Sequence, residues 1–147
     1  MEGRLEADAA ESRLILVDTS VWIDFFSASP GRDGGELRRM IAEAEPFALT
    51  GLIVTEILQG VQRDVRRIER FLSMWEMIEP QGFSTYREAS AISRLCRSKG
   101  ISLTTIDTLI AAIALEHHAS VFSLDKDFLH IARLTPLRLH SPPKSAL

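Results

Sequence analysis

The sequence predicts an α/β fold: a three-layer α/β/α sandwich around a central parallel sheet of four to five strands. Two observations carry this. Short unbroken apolar runs, LILV at residues 14–17 and FAL at 47–49, have strand length without polar alternation, the mark of strands covered on both faces. Segments of helical period separate these runs, and strands joined through helices pair in parallel with right-handed crossovers.

The elements follow in order. After the first strand at residues 14–17, Ser20 is placed to cap a helix over residues 21–26, with Trp22, Phe25 and Phe26 at helical spacing. Ser29-Pro30-Gly31 with Gly34-Gly35 predicts a loop. Residues 37–44 form a second helix with Leu37, Met40, Ile41 and Ala44 on one side. Residues 47–49 are the second strand, and Thr50 opens a helix through Leu58 that Gly60 ends. Residues 63–75 are helical, with Ile68, Phe71, Leu72 and Trp75 apolar. Met77 and Ile78, stopped by Pro80, form a short third strand. A long helix covers residues 84–98 and stops at Gly100, and an Ala-rich helix runs over 107–118. Residues 120–124 are a fourth strand, 126–131 a short helix and 137–139 a fifth strand.

These elements make one domain, residues 14–140. Residues 1–13 are polar and aperiodic and are expected to be a flexible leader. The segment HSPPKSAL is expected to be untethered, with residues 141–147 a flexible tail, because Pro142-Pro143 blocks regular structure. The chain of 147 residues is long enough to bury about two-thirds of its unfolded surface. A net charge of −3 gives no global attraction to polyanions, so any nucleic-acid contact must use local basic faces or metal. The single Cys96 rules out an internal disulfide and Cys-rich metal sites, which makes a reducing cytoplasm the expected compartment. No apolar run approaches the roughly 20 residues that span a bilayer.

Four acids occupy telling positions. Asp18 follows the first strand directly, and Asp125 follows the fourth, with Asp127 two residues on. Glu56 lies on the helix after the second strand, and Asp107 opens the Ala-rich helix. Open parallel sheets bind ligands beyond the carboxyl ends of their strands, so a doubly wound sheet would gather these groups at one rim. Each has a plainer role: Asp18 near a helix start, Glu56 on a helix surface, Thr104-x-x-Asp107 as a capping box, Asp125 and Asp127 in a turn. Together they point to chemistry. Two unit charges about 4 Å apart repel by roughly 4 kcal/mol at an effective dielectric near 20, so clustered carboxylates need protons or a cation. Oxygen ligands without His or Cys suit Mg²⁺ or Mn²⁺, which can hold a phosphate and activate water. Hydrolytic phosphodiester or phosphoryl chemistry is the expectation.

The stretches DTSVWIDFF at 18–26, TEILQG at 55–60, D-x-LIAA at 107–112 and LDKDF at 124–128 resemble the four acidic motifs of PIN-domain ribonucleases, and more narrowly the VapC-type toxins of VapBC toxin–antitoxin pairs. The resemblance covers about residues 14–139 and lies in all four motifs together, in order and at matching spacing. It implies endonucleolytic cleavage of RNA with Mg²⁺ or Mn²⁺, a homodimeric toxin, and a cognate VapB-type antitoxin lying over the active site. Carried over residue by residue, Asp18 and Asp107 match direct metal ligands, Glu56 the second acid, and Asp125 the fourth, with Asp127 beside it. Thr19 or Ser20 matches a small polar position that bonds near the first acid.

Other classes fit less well. A haloacid-dehalogenase-type phosphatase needs a second Asp two residues after the first, where this chain has Ser20. A receiver-type phosphoacceptor needs an acidic pair, where this chain has Val17-Asp18, although Lys126 is nearby. A non-catalytic PIN-like RNA-binding module would lack one or more of the acids. Arg63, Arg66, Arg67 and Arg70 form either a solvated face paired with Asp64 and Glu69 or a set of phosphate contacts. His117-His118 suit a helix C-terminus. Cys96 reads as core, Trp22, Phe25 and Phe26 as core or partner surface, and Asp24 as facing solvent.

Overall fold

The computed structural model describes residues 14–143; the leader assigned to residues 1–13 and the last four residues of the tail lie outside the described residues. The order of elements is β1 (Ile15–Val17), α1 (Thr19–Phe26), α2 (Arg32–Ala42), β2 (Phe47–Leu49), α3 (Gly51–Gly60), α4 (Val65–Leu72), β3 (Glu76–Met77), α5 (Phe83–Ser98), α6 (Thr105–Glu116), β4 (Ser120–Phe122) and α7 (Asp127–Leu134). The four strands form one parallel sheet in the order β3-β2-β1-β4. The chain winds one way from β1 through β3 and returns to the other side of β1 with β4. The topological switch point therefore lies between β1 and β4.

Every residue of β1, β2 and β4 is buried, as strands covered on both faces must be. Helices α1 to α4 pack among themselves, and α5 packs on α6 and α7, giving the two outer layers. The expected fifth strand reduces to one parallel bridge between Val121 and Leu139. Thr50 and Thr104 cap α3 and α6 as their positions suggest, accepting from Ile53 N at 3.3 Å and Asp107 N at 3.2 Å. Gly100 carries a φ of +79° just past α5, the left-handed geometry that favours glycine at a helix end. Cys96 is fully buried in the core.

Three local expectations are corrected. Asp18, not Ser20, is the residue preceding the first helix turn: its carbonyl accepts from Val21 N at 3.1 Å. Asp24 is half-buried, and its carboxylate is engaged by the chain where a purely solvated group was expected. Its carboxylate accepts from Gly31 N at 3.0 Å and from Gly34 N at 2.7 Å, satisfying orphan donors at the start of α2. This external cap is why α2 begins at Arg32 and takes Gly34-Gly35 into its first turn instead of leaving them in a loop. The third concerns the C-terminal segment, which is anchored as far as Pro142. His140 Nε2 lies 2.9 Å from Glu36 Oε2, and Arg32 Nη2 donates to Pro142 O at 3.0 Å. Burial works against charge on Glu36, but hydrogen bonds from Arg39 and His140 outweigh it and hold the carboxyl below its usual range.

Gly34 is a point of close approach between α1 and α2. A Cβ there would meet Phe25 N at 2.8 Å, Asp24 Oδ2 at 2.8 Å and Asp24 C at 2.9 Å. Gly34→Ala is therefore expected to destabilise the fold by about 1–3 kcal/mol, although alanine is the better helix former. Gly35→Ala, with nothing near its Cβ, is expected to be neutral or stabilising. Urea titration of both variants checks the contrast.

Candidate metal centre at the carboxyl edge of the sheet

Parallel pairing matches Val17 with Phe122, so the next residues, Asp18 and Ser123, leave the sheet side by side. Asp18 N continues the ladder by donating to Phe122 O at 2.8 Å. Asp18 is 6% exposed, and its carboxylate does not cap α1. Instead Oδ2 accepts from Ser123 Oγ at 2.7 Å and from Ser20 Oγ at 3.1 Å. The two hydroxyls lie 3.2 Å apart, and Ser20 Oγ also accepts from Leu124 N at 2.9 Å. Ser123 Oγ in turn accepts from Asp125 N at 3.0 Å. Asp18 is thus fastened to the loop that carries Asp125.

Asp107 stands in the first turn of α6, and Asp127 in the first turn of α7. Asp127 N donates to Asp125 Oδ1 at 2.9 Å. One carboxylate oxygen from each of Asp107, Asp125 and Asp127 lies within 4.8 Å of the others, a separation a single cation can bridge. Asp107 is pushed up to about 7 from 3.8, first by burial, then by the charge of Asp125, with a hydrogen bond to Asp127 and the charge of Asp18 adding to it. Thr104 opposes the shift without cancelling it.

Glu56 stands apart from this group. Its Oε1 accepts from Thr19 Oγ1 at 2.9 Å, which ties it to the residue after Asp18 but leaves it outside the cluster of three. Both small polar residues after Asp18 are therefore engaged, Ser20 with Asp18 and Thr19 with Glu56. The residue that sequence reasoning missed is Ser123. Its signal was available: parallel register places the first residue beyond β4 level with the first residue beyond β1.

The arginines of the α4 region are exposed, but among the described residues none forms the expected ion pair with Asp64 or Glu69. Trp22 is buried, whereas Phe25 and Phe26 are half-buried; Phe25 stacks on Phe71 and Phe26 meets the same ring edge to face. Among the described residues, no helix is long and apolar enough to cross a membrane.

The donor set fits a hard divalent ion. Carboxylates this close need their mutual repulsion relieved, and burial together with the charge of Asp125 raises Asp107 accordingly. A pH dependence follows. Asp107 binds its proton more tightly folded than unfolded, so the folded state holds more protons between about pH 4 and 7. The stability this contributes is complete below the unfolded pKa and is lost as pH rises through the folded value. In chelator, stability is expected to fall by about 1–2 kcal/mol across that window, after allowance for screening of a half-exposed group. Mg²⁺ or Mn²⁺ should restore it at high pH, and Asp107→Asn should flatten the dependence; thermal melts at several pH values read both effects.

Carboxylates gathered at the switch point of a parallel sheet stand where such folds bind their ligands, and comparisons with known proteins give the class. The PIN domain family model matches residues 15–134. Ribonuclease VapC11 of Mycobacterium tuberculosis is 35% identical over 132 residues, covering 87% of this chain and 98% of the relative. The chain belongs to the PIN-domain family and, within it, to the VapC ribonucleases. Solved structures agree on the fold. VapBC-1 from nontypeable Haemophilus influenzae superposes with a TM-score of 0.71 at 17% identity, covering 89% of this chain and 99% of that one. A toxin–antitoxin complex from Klebsiella pneumoniae gives 0.58 at 23% identity, covering 85% and 99%.

Proposed function

We propose that this chain is the toxin of a type II toxin–antitoxin pair, an endoribonuclease that hydrolyses RNA phosphodiester bonds with Mg²⁺ or Mn²⁺. In this reading it acts in the cytoplasm as a homodimer and is restrained by a VapB-type antitoxin. The observation that carries the reading is the convergence of Asp107, Asp125 and Asp127 to within 4.8 Å, with the Asp18 charge bearing on Asp107. Identity with VapC ribonucleases along most of the chain supports the choice of RNA, and the VapBC neighbours support the antitoxin.

Asp18, Asp107 and Asp125 would hold the ion directly or through water, with Asp127 as a further ligand. When bound, the ion draws charge from the scissile phosphate, lowers the pKa of an attacking water and steadies the leaving oxygen. Ser20 and Ser123 orient Asp18 by binding its Oδ2, and among the described residues neither bonds Oδ1. Asp107 would exchange its proton for the ion. Glu56, held by Thr19, would bind through water or orient the nucleophile.

Purified protein incubated with total cellular RNA should cleave it in Mg²⁺ or Mn²⁺ and not in EDTA. Cleavage that persists in EDTA would remove the metal from the mechanism, and no cleavage under any condition would remove the nuclease. Expression without antitoxin should arrest growth, and the Asp18→Asn form should not.

A further inference from the structure

We propose that residues 1–13, MEGRLEADAAESR, dock as an acidic segment in the basic, aromatic groove between α1 and α4 of the same chain. The groove has a volume of about 590 Å³. Phe26, Ile68 and Phe71 give it apolar walls, Arg63, Arg67 and Arg70 bring positive charge, and Asp64 is the one acid among its lining residues. The proposal is independent of the ribonuclease reading, because the groove lies toward the edge of the sheet opposite the acidic centre.

Topology places this groove near the point where the chain enters the sheet. Leu14 O accepts from Ser120 N at 3.0 Å and Ile15 N donates to Pro46 O at 3.3 Å, so whatever precedes Leu14 departs from the amino edge. Ile15 pairs with Phe47, the first residue of β2. From Phe47 the aromatic cluster leads to the groove by two routes. One passes through Trp22 to Phe26, with 5.9 Å between ring centroids at each step. The other passes through Trp75 to Phe71, with steps of 4.9 Å and 5.6 Å. Helix α1 starts beside Asp18 at the carboxyl edge and ends at Phe26, which brings Phe26 back toward the amino edge. An extended segment of this length spans as much as about 40 Å, so the groove is well within reach.

The charges are complementary. The segment carries Glu2, Glu6, Asp8 and Glu11 against Arg4 and Arg13, with Leu5 among them. Arg63, Arg66, Arg67 and Arg70 are exposed, and among the described residues none lies within ion-pair distance of a carboxylate. Carboxylates can take these guanidinium groups in paired hydrogen bonds while Leu5 covers the half-buried rings of Phe26 and Phe71. Each exposed pair contributes little alone. A short tether, however, supplies an effective concentration of roughly millimolar, so contacts of only that strength fill the groove. The other arginine-bearing groove, between α5 and α6, is lined by Arg94 and Arg97 and fits less well. Thr85, near the start of α5, donates to Glu116 at the end of α6, so the two helices run antiparallel. Arg94 and Arg97 therefore lie toward the start of α6, away from the amino edge where the segment departs.

The test uses the full chain in EDTA with a nitroxide attached through A9C; Cys96 is fully buried and does not compete for the label. Amide signals of α4 are compared with the nitroxide oxidised and reduced. At low salt the oxidised label is expected to attenuate the signals of residues 66–70, and the attenuation should be lost at about 1 M salt, where the Debye length is roughly 3 Å. R63E/R67E should abolish it, and E6K/D8K added to that variant should restore it. E6Q/D8N/E11Q, which leaves the groove untouched, should abolish it as well, and R94E/R97E should leave it unchanged. No attenuation at any salt, or attenuation indifferent to these charge changes, would overturn the proposal. So would attenuation in a mixture of nitroxide-bearing chain and isotope-labelled chain without nitroxide, which would assign the groove to a second copy. Shifts of the α4 signals by a short single-stranded RNA, with no attenuation from the label, would assign the groove to RNA and also overturn it. None of these signals depends on cleavage, so failure of the ribonuclease reading appears separately, as absent Mn²⁺-dependent cleavage by the unaltered chain.

Discussion

Asp107→Asn and Asp18→Asn, each compared with the unaltered protein on the same RNA, are expected to lower cleavage at least about 10²-fold, some 3 kcal/mol of transition-state stabilisation. Asparagine keeps the shape of the carboxylate and removes its charge, so the metal loses a ligand while packing is kept. At position 18 the amide oxygen can still accept from Ser20 and Ser123, which preserves the link between α1 and the loop after β4. At position 107 the substitution imposes permanently the neutral state that the site favours without a cation. Both variants should therefore be folded, and Asp107→Asn should be at least as stable as the unaltered chain in chelator above about pH 7. Loss of cleavage with intact melting separates a ligand role from a structural one. Gel-resolved cleavage rates in Mn²⁺ and thermal melts in EDTA make the comparison, and wild-type rates in both variants would remove these carboxylates from the mechanism.

Trp22→Ala is expected to have the largest effect on stability, about 3–5 kcal/mol. Trp22 is fully buried and sits at the centre of an aromatic cluster, with Phe25 at 5.6 Å, Phe26 and Phe47 at 5.9 Å, and Phe71 at 6.3 Å between ring centroids. These rings join α1, β2 and α4, so a cavity here loosens three elements together. For a domain of this size the loss corresponds to a fall of about 10 °C or more in Tm. Trp22→Phe should cost much less, because the indole N–H has no hydrogen-bond partner among the described residues. Because α1 also begins at Asp18, partial loss of cleavage in Trp22→Ala should track its unfolded fraction. Urea titrations of both variants decide the ranking; equal losses would place the stabilisation in the N–H and not in the ring volume.

The architecture was legible where a local pattern and the global fold agree. The runs before Asp18 and around Phe47 could only be strands covered on both faces, and the helices between them dictated parallel pairing. The rim of acids was legible for the same reason, since positions just beyond strands of a parallel sheet converge. What escaped was decided by contacts remote in sequence. Nothing near Arg32 announces a helix start, because its cap is Asp24, supplied from the end of α1. Nothing in HSPPKSAL announces an anchor, because His140 is held by Glu36, 104 residues away. Ser123 looked like a strand residue until register set it against Asp18. Glu56 shares the rim but not the cluster, a distinction of side-chain reach that topology alone does not resolve.

The most direct measurement is a crystal structure of the protein grown with Mn²⁺, with the ion located by its anomalous scattering. The account predicts a peak among the carboxylates of Asp18, Asp107 and Asp125, reached also by Asp127, with oxygen ligands only. A peak elsewhere on the surface with this basin empty, or Lys126 folded in to neutralise the acids in its place, would contradict it.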